Sequence, residues 1–563
     1  MTFDYECDVL VVGSGAGGLT AALRAVLSGA KVLVVEKGHL WGGTSATSGG
    51  GIWIPGSSLA AAVGHPDDLH DAFRYVRALS AENVPDAQIQ AFIDNAHLML
   101  DWVQDHAGTQ FAPLPYPDYY PEVAGSREGF RTHLLVSASP ASILSRTAFD
   151  TMQRASPAAS LWGRINWLLS ETYAVLFRPK GWQRVVGATL ARYWLDIPHR
   201  LRGPRDARLT MGTALLGLLR SAYDRAGGAL WLESPLESLI QSDGHVTGAI
   251  VSRAGGPCRI NARKGVILAA GGFERNRTMR ARYLSCAPEP EASGSQINNT
   301  GEVLQLAKDA GAELRNLDSA WWAPVFRIPG EERARLSTIE RALPFSLIID
   351  QTGRRYANEA LCYHRFGEVM AAKDQPGAKT LPSWFVFDAQ YRARYPAGAL
   401  MPGVAEALHP AGLRQILQKG QTLAELASQI HVQPATLEAT VARFNQMAKA
   451  GRDEDFGRGD AAYDRLYGDP RQAPNPTLGA LEVGPFYALP LYLGDIGSNG
   501  GVVTDGAGRA LRPDGSPVPG LYAIGNMAAT IMGYSYPGAG STLGPAMTFG
   551  YLAAADACGL NGV

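Results

Sequence analysis

Cysteine is scarce in this sequence. Five are spread along 563 residues, at Cys7, Cys258, Cys286, Cys362 and Cys558. They form no CxxC pair and no cluster with histidine, which argues against a bound metal. Their odd number argues against a disulfide framework. The expectation is no metal and a reducing, cytoplasmic setting. Long apolar runs are missing too: there is no stretch of about 20 uninterrupted apolar residues, so no spanning helix is expected. Residues 1–7 carry Asp4 and Glu6 but no basic n-region, and do not read as a secretory signal. Net charge is nearly absent: a formal −1 gives no global case for nucleic acid as a partner. There are no repeats and no low-complexity linker. The length implies two or more units and room for a large core.

What the chain does have is glycine in telling places. Asp8-Val9-Leu10-Val11-Val12 is a short strand-like run that leads into Gly13-Ser14-Gly15-Ala16-Gly17-Gly18 and then into the helical residues 19–25. A second strand, residues 31–35, ends in Glu36, followed by Lys37. Gly13 permits a tight turn, Gly15 lets a pyrophosphate approach the backbone, and Gly18 lets the helix pack close to the sheet. The helix N-terminus offers N–H groups and a positive dipole end to phosphates. Glu36, twenty-three residues after Gly13, can accept from ribose hydroxyls. A ligand-free glycine turn would leave Glu36 unexplained.

A second small-residue stretch separates FAD from NAD. Gly42-Gly43-Thr44-Ser45-Ala46-Thr47-Ser48-Gly49-Gly50-Gly51 begins six residues beyond Glu36. Backbone and hydroxyl groups in such a run suit a long, extended cofactor, which FAD is and a nicotinamide enzyme does not need. Further strands end in small residues at Ala270 and Gly271 and at Gly525 and Asn526, more places where backbone can meet a flavin nucleotide.

The organisation reads as a Rossmann-like, discontinuous α/β cofactor domain with an inserted α+β domain for substrate and catalysis. The expected pieces are 1–125 (first cofactor part), 126–208 (an insertion), 209–290 (second cofactor part), 291–484 (a less regular catalytic unit) and 485–563 (third cofactor part). Residues 86–106 and 209–226 read as helices, 229–232 as a strand, and 238–242 with 246–252 as a hairpin around Asp243-Gly244. Four prolines between Phe111 and Pro121 predict a rigid aromatic loop without regular structure.

Residues 162–208 stand apart. They hold nine Lys/Arg against three acids, and four of the eleven tryptophans, Trp162, Trp167, Trp182 and Trp194. Trp182, Val185, Val186, Thr189, Leu190, Tyr193, Trp194 and Ile197 recur at helical spacing. Such a helix is about 24 Å long, too short to span a bilayer comfortably. Two readings fit: an in-plane, peripheral membrane contact, or an amphipathic hairpin packed on the protein's own core or on a second subunit.

The residues with chemistry lie near the C-terminal end, in Gly533-Tyr534-Ser535-Tyr536-Pro537-Gly538-Ala539-Gly540-Ser541-Thr542-Leu543-Gly544-Pro545. A tyrosine O–H from Tyr536 and a free N–H from Gly540 suffice to polarise a carbonyl oxygen. A plainer reading is a helix-entry loop that only touches a flavin, with the Leu543 and Gly544 amides at the edge of its ring. The helix itself is expected to begin near Pro545.

Four segments in this order resemble the FAD-dependent 3-ketosteroid Δ1-dehydrogenases, within the fumarate-reductase-like flavoproteins: Gly42 to Ala46, Pro117-Asp118-Tyr119-Tyr120, Asn358 to Tyr363, and Tyr536 to Gly540. The resemblance covers nearly the whole chain. It implies four catalytic positions, Tyr119, Tyr363, Tyr536 and Gly540. It also implies FAD, a 3-ketosteroid substrate in steroid or sterol degradation, and an electron acceptor, a quinone or another oxidant. In that mechanism Tyr536 and Gly540 hold the C3 carbonyl, Tyr363 as tyrosinate takes a C2 proton with Tyr119 bonded to it, and the C1 hydride goes to the flavin. Tyr363 must then ionise well below its ordinary pKa of about 10. A basic, aromatic 162–208 segment departs from the shorter family members and suggests uptake of a membrane-dissolved sterone at the inner face of the cell membrane. The competitors are a 3-ketosteroid Δ4(5α)-dehydrogenase, a fumarate-reductase-like enzyme and a non-catalytic lipid-binding flavoprotein.

Overall fold

The structure is a computed structural model that describes residues 2–157, 160–161 and 163–560. Trp162, one of the aromatic residues singled out above, lies outside them. The strand Tyr5–Val12 is the centre of an eight-stranded sheet. It pairs in parallel with Val32–Val35 on one side and with the end of Gly256–Leu268 on the other. Ala229–Trp231 extends the parallel set beyond Val32–Val35, and Pro517–Ala523 extends it beyond Gly256–Leu268. Val32–Val35 and the second half of Tyr5–Val12 are buried and read as continuous apolar runs. Leu236–Ser242, His245–Arg253 and the start of Gly256–Leu268 form an antiparallel meander that grows out of the same sheet.

Helix Ala16–Leu27 follows the first strand and packs against Leu543–Cys558, near the far end of the chain. Glycine makes the approach possible. A Cβ on Gly17 would lie 2.6 Å from the Ala546 carbonyl oxygen, and one on Gly550 would lie 2.5 Å from that of Gly17. Residues far apart in sequence thus form one wall.

The segment expected to be less regular, 291–484, builds a sheet around a strand that lies beyond it, in the 485–563 piece expected to belong to the cofactor domain. Ala320–Phe326, Ser346–Ile349, Ser383–Phe387 and the long strand Phe486–Ser498 are all antiparallel, with short strands Arg335–Leu336 and Gln418–Gly420 at its margins. Its strands are buried on both faces, and its pairing runs between segments far apart in sequence. Local pattern therefore understated its order. Phe111–Pro113 is likewise a short strand, paired with Thr132–Leu135, with its one proline at the strand's end.

The 162–208 segment folds as a hairpin of two helices with its break at residues 178–181. Leu169–Phe177 and Trp182–Leu195 are antiparallel neighbours joined by Arg178, whose φ of 45° turns the chain. The second helix stops at Asp196, whose carboxylate caps the next turn, Ile197–Arg200, with Pro198 in it. Within Trp182–Leu195 only Thr189 and Tyr193 are buried. The apolar face predicted from periodicity is split: two residues turn inward, while Val185, Trp194 and Ile197 are exposed. Among the described residues, no helix is long and apolar enough to cross a membrane.

Candidate active site

The ends of the parallel strands open onto a cavity of about 520 Å³. Every predicted cofactor and catalytic residue lines it except Gly42 and Gly544. Gly42 stands behind the wall with φ of 105°, its N–H donating to the Ser14 hydroxyl at 2.9 Å. Gly544 also stands back, because its N–H donates to the Gly540 carbonyl at 2.9 Å. Its amide is therefore not available to a ligand, and the helix starts at Leu543, two residues before the expected Pro545.

The nucleotide end is built from the glycine turn. A Cβ on Gly13 would meet the Ala269 carbonyl oxygen at 2.3 Å, and one on Gly18 the Gly13 carbonyl oxygen at 2.3 Å. Gly15 is different: its nearest neighbour is the Ser45 hydroxyl at 3.4 Å, so its face opens to the cavity. That hydroxyl accepts the Ala16 N–H at 3.1 Å and ties the two glycine stretches together. Glu36 accepts the Ser14 hydroxyl at 2.5 Å and the Gly38 N–H at 3.0 Å. Lys37 reaches across to Thr300 and Glu302. The tight turn, the open Gly15 face, the helix N-terminus and the acid at the second strand's end together fit a dinucleotide such as FAD.

The other end is made of tyrosines. The Tyr536 ring stacks on Tyr119 with centroids 5.6 Å apart and planes at 20°, and meets Trp321 edge-on at 5.2 Å. Tyr119 and Tyr363 meet edge to face at 5.6 Å. Burial raises the pKa of Tyr536, while the neighbouring Tyr363 and Thr542 hydroxyls and the Gly540 backbone work the other way. Tyr536 and Gly540 both line this end of the cavity. Thr542 was not legible from sequence as a member of this group; only its place between Gly540 and a helix start pointed to it. The Tyr119 hydroxyl is buried without a hydrogen-bond partner.

The expectation that Tyr363 is acidified is not met by the protein alone. Burial, reinforced by the adjacent Tyr536, pushes its pKa well above 10, and among nearby hydroxyls only that of Tyr119 works the other way. Tyr363 is the first residue of helix Tyr363–Lys373. The next residue, His364, accepts the Trp322 N–H through Nδ1 at 3.1 Å and bonds the Tyr534 carbonyl through Nε2 at 2.9 Å. This locks the turn that presents Tyr363.

Long-range contacts stitch the tyrosine loops together. Tyr119 N–H donates to the Pro537 carbonyl at 2.8 Å, and the Tyr75 hydroxyl donates to the same oxygen at 2.8 Å. Beneath them Asp118 accepts from Trp53 Nε1 and from Arg131, both at 2.8 Å, and Arg131 also meets Asp67 at 2.8 Å. Burial first raises Asp118, to about 6, against the opposing pull of Arg131. None of these partners was visible in the motif.

Fold and cavity define a flavin-dependent oxidoreductase, and comparison with known proteins agrees. The sequence matches the FAD binding domain family over residues 8–543. It is 37% identical, over 98% of this chain and 97% of the other, to 3-oxosteroid 1-dehydrogenase of Mycolicibacterium smegmatis. It is also 37% identical, over 97% of this chain and 92% of the other, to 4-oxocyclohexanecarboxylate 2-dehydrogenase of Sinomonas cyclohexanicum. A solved structure, 3-ketosteroid delta1-dehydrogenase from Sterolibacterium denitrificans in complex with 1,4-androstadiene-3,17-dione, superposes with a TM-score of 0.93 at 38% identity, covering 98% of this chain and 99% of that one. The chain belongs to the 3-oxosteroid 1-dehydrogenase family of FAD-binding flavoproteins.

Proposed function

We propose that this enzyme converts a 3-oxo-4-ene steroid to the 3-oxo-1,4-diene. The observation that carries the reading is the convergence of the Tyr536 hydroxyl, the Gly540 N–H and the Tyr363 ring at one end of a cavity whose other end fits a dinucleotide. Tyr536 O–H and Gly540 N–H donate to the steroid's C3 carbonyl oxygen, which stabilises the enolate and acidifies the C2 hydrogens. Tyr363, ionised, takes the C2 proton, and Tyr119 supports the anion with its free hydroxyl. FAD, when bound, would supply the acceptor for the hydride leaving C1. Gly13 to Gly18 and Glu36 would hold its pyrophosphate and ribose. Thr44, Ser45, Ser48, Ala270, Gly271, Gly525 and Asn526 would hold the rest. The electrons then pass to an external acceptor, a quinone or another oxidant.

Charge separates this reading from its rivals. Among the described residues, the only Lys or Arg lining the cavity is Lys37, paired with Glu302 at the nucleotide end. A dicarboxylate or a cyclohexanone carboxylate has no cation to meet beside the tyrosines. The test is anaerobic mixing of the yellow holoenzyme with cholest-4-en-3-one in a little detergent. Bleaching of the flavin with loss of two hydrogens at C1–C2 supports the reading. No bleaching with this or any short-chain 3-ketosteroid overturns it. A new double bond at C4–C5 of a saturated sterone points to the Δ4(5α) reaction.

We further infer that the 162–208 hairpin rests on a lipid surface. Trp194, Leu195, Ile197 and Leu201 are 58%, 75%, 59% and 84% exposed, beside Arg200 and Arg202. Leu169 and Thr172 of the first hairpin helix line the cavity. One hairpin thus joins an exposed apolar edge to the substrate space, as uptake of a membrane-dissolved sterone requires.

A further inference from the structure

Tyr363 is needed as an anion, yet burial opposes its ionisation. Among the described residues no cation lines the tyrosine end of the cavity. A favourable charge has to come from behind the wall, and Arg341 is placed to supply it.

Arg341 is 1% exposed. Its Nε donates to the Ser337 carbonyl at 2.7 Å, Nη1 to that of Glu359 at 2.6 Å and Nη2 to that of Leu361 at 3.1 Å. The guanidinium lies 4.7 Å from the centroid of the Phe366 ring. The other fully buried arginines, Arg131, Arg280 and Arg458, each meet a carboxylate. Arg341 forms no ion pair among the described residues. Burying an unpaired charge is expensive, so its retention calls for an anion that forms only at certain moments.

The surroundings say which anion. The titratable groups facing Arg341 are Tyr463, Cys362, Glu340 and Tyr356, and Tyr467 feels its charge as well. Burial pushes Glu340 up, away from the role of counter-ion, and pushes the Cys362 thiol up to about 12. Tyr463 stands 4.9 Å, ring to ring, from Tyr119, and the Tyr467 hydroxyl bonds that of Tyr116. Around Tyr363 stand Tyr536, Tyr119 and Tyr116, and on its own helix His364, Arg365 and Glu368. Tyr463, on which the Arg341 charge acts most, packs against the Tyr119 ring, and Arg341 grips the carbonyl of Leu361, two residues before Tyr363.

We propose that Arg341 is a positioning residue for the base: its unpaired charge favours negative charge on Tyr363, and its hold on the Glu359 and Leu361 carbonyls fixes the segment that delivers that side chain. This rests on Tyr363 being the base in the reaction proposed above. Moving the pKa of Tyr363 by about one changes its ionised fraction about tenfold on the acid side.

The experiment is anaerobic flavin reduction by a 3-ketosteroid, followed against pH in holoenzyme carrying Arg341→Met or Arg341→Lys. Arg341→Met removes the charge. Its rate should fall about tenfold on the acid side and recover at high pH, a displacement of the limb by about one pH unit. Replacing Tyr363 by 3-fluorotyrosine, a more acidic phenol, should bring the limb of that variant back. Arg341→Lys keeps the charge and loses the three-carbonyl grip. It should slow the reaction at every pH and leave the limb in place. A uniform loss in Arg341→Met without a displaced limb or fluorotyrosine rescue overturns the proposal. If that variant does not fold, a limb displaced in Arg341→Lys overturns it instead. A wild-type holoenzyme that no 3-ketosteroid reduces defeats the functional reading first, and this proposal with it; normal wild-type turnover with an unmoved limb defeats this proposal alone.

Discussion

The rings of Tyr363 and Tyr536 meet edge-on, with centroids 5.3 Å apart and planes at 69°. In the proposed reaction the two hydroxyls serve different atoms of the substrate: Tyr536 the ketone oxygen, Tyr363 the proton one carbon away.

Removing either hydroxyl while leaving the ring should separate the two roles. Tyr363→Phe is expected to slow anaerobic flavin reduction by about 10²- to 10⁴-fold, the usual worth of a general base. Tyr536→Phe should lose about 10²- to 10³-fold, as for one oxyanion donor. Stopped-flow absorbance reads both, and an unchanged thermal midpoint shows that the rings still pack.

The acid–base direction of Tyr363 fixes the pH profile. Burial raises its pKa, and only the ionised form accepts a proton. Flavin reduction should therefore climb with pH through neutrality and beyond it. A rate already flat from about pH 6 upward would remove Tyr363 from the role of base.

Two glycines should be intolerant of a methyl group. At Gly13 (φ 111°) a Cβ meets carbonyl oxygen at 2.3 Å, and at Gly540 (φ 100°) it meets Ile52 and Trp53 backbone at 2.5 and 2.6 Å. Gly13→Ala should purify with little FAD, read from the yellow absorbance. Gly540→Ala should keep FAD and lose turnover, because the Gly13 turn is distant from the displaced N–H.

His133 links acid stability to the wall of the cavity. Its side chain is fully buried, and burial depresses its pKa from 6.5 to about 4. A depressed pKa adds stability above the unfolded value and loses it as pH falls. About 3 kcal/mol should be lost as pH drops from about 6.5 to 4. Thermal melts across that range should show the fall, and a folded His133→Gln variant should show a flatter one.

The hairpin's exposed edge should bind lipid. Trp194→Ser with Leu195→Ser and Leu201→Ser should abolish co-sedimentation with phospholipid vesicles, since each buried large apolar side chain is worth about 1.5–3 kcal/mol. Turnover of a water-soluble steroid should stay intact. Vesicle binding that survives all three changes would send this face to the protein's own surface or to a second subunit.

Sequence showed what is local. The turn from Gly13 to Gly18 and Glu36 at the end of the next strand lie within one βαβ unit, so spacing alone specified them. Tyr119, Tyr363 and Tyr536 were found by motif, but what surrounds them was not. Arg131 and Asp67, which hold Asp118 in place, reach it from separate segments through contacts that no periodicity encodes. The hairpin shows the opposite failure: a clean helical repeat over Trp182 to Ile197 was present, yet Asp196 and Pro198 ended the helix and tertiary packing chose only Thr189 and Tyr193 for burial.

The close packing of Gly17 against Ala546 places Gly13 and Gly540 on walls of one cavity. During synthesis the ribosome releases the first wall long before the second. The cavity is complete only once nearly the whole polypeptide has emerged, so stable loading with FAD should wait until then. A chain halted anywhere before Tyr536 should carry the phosphate turn without its facing wall and stay colourless.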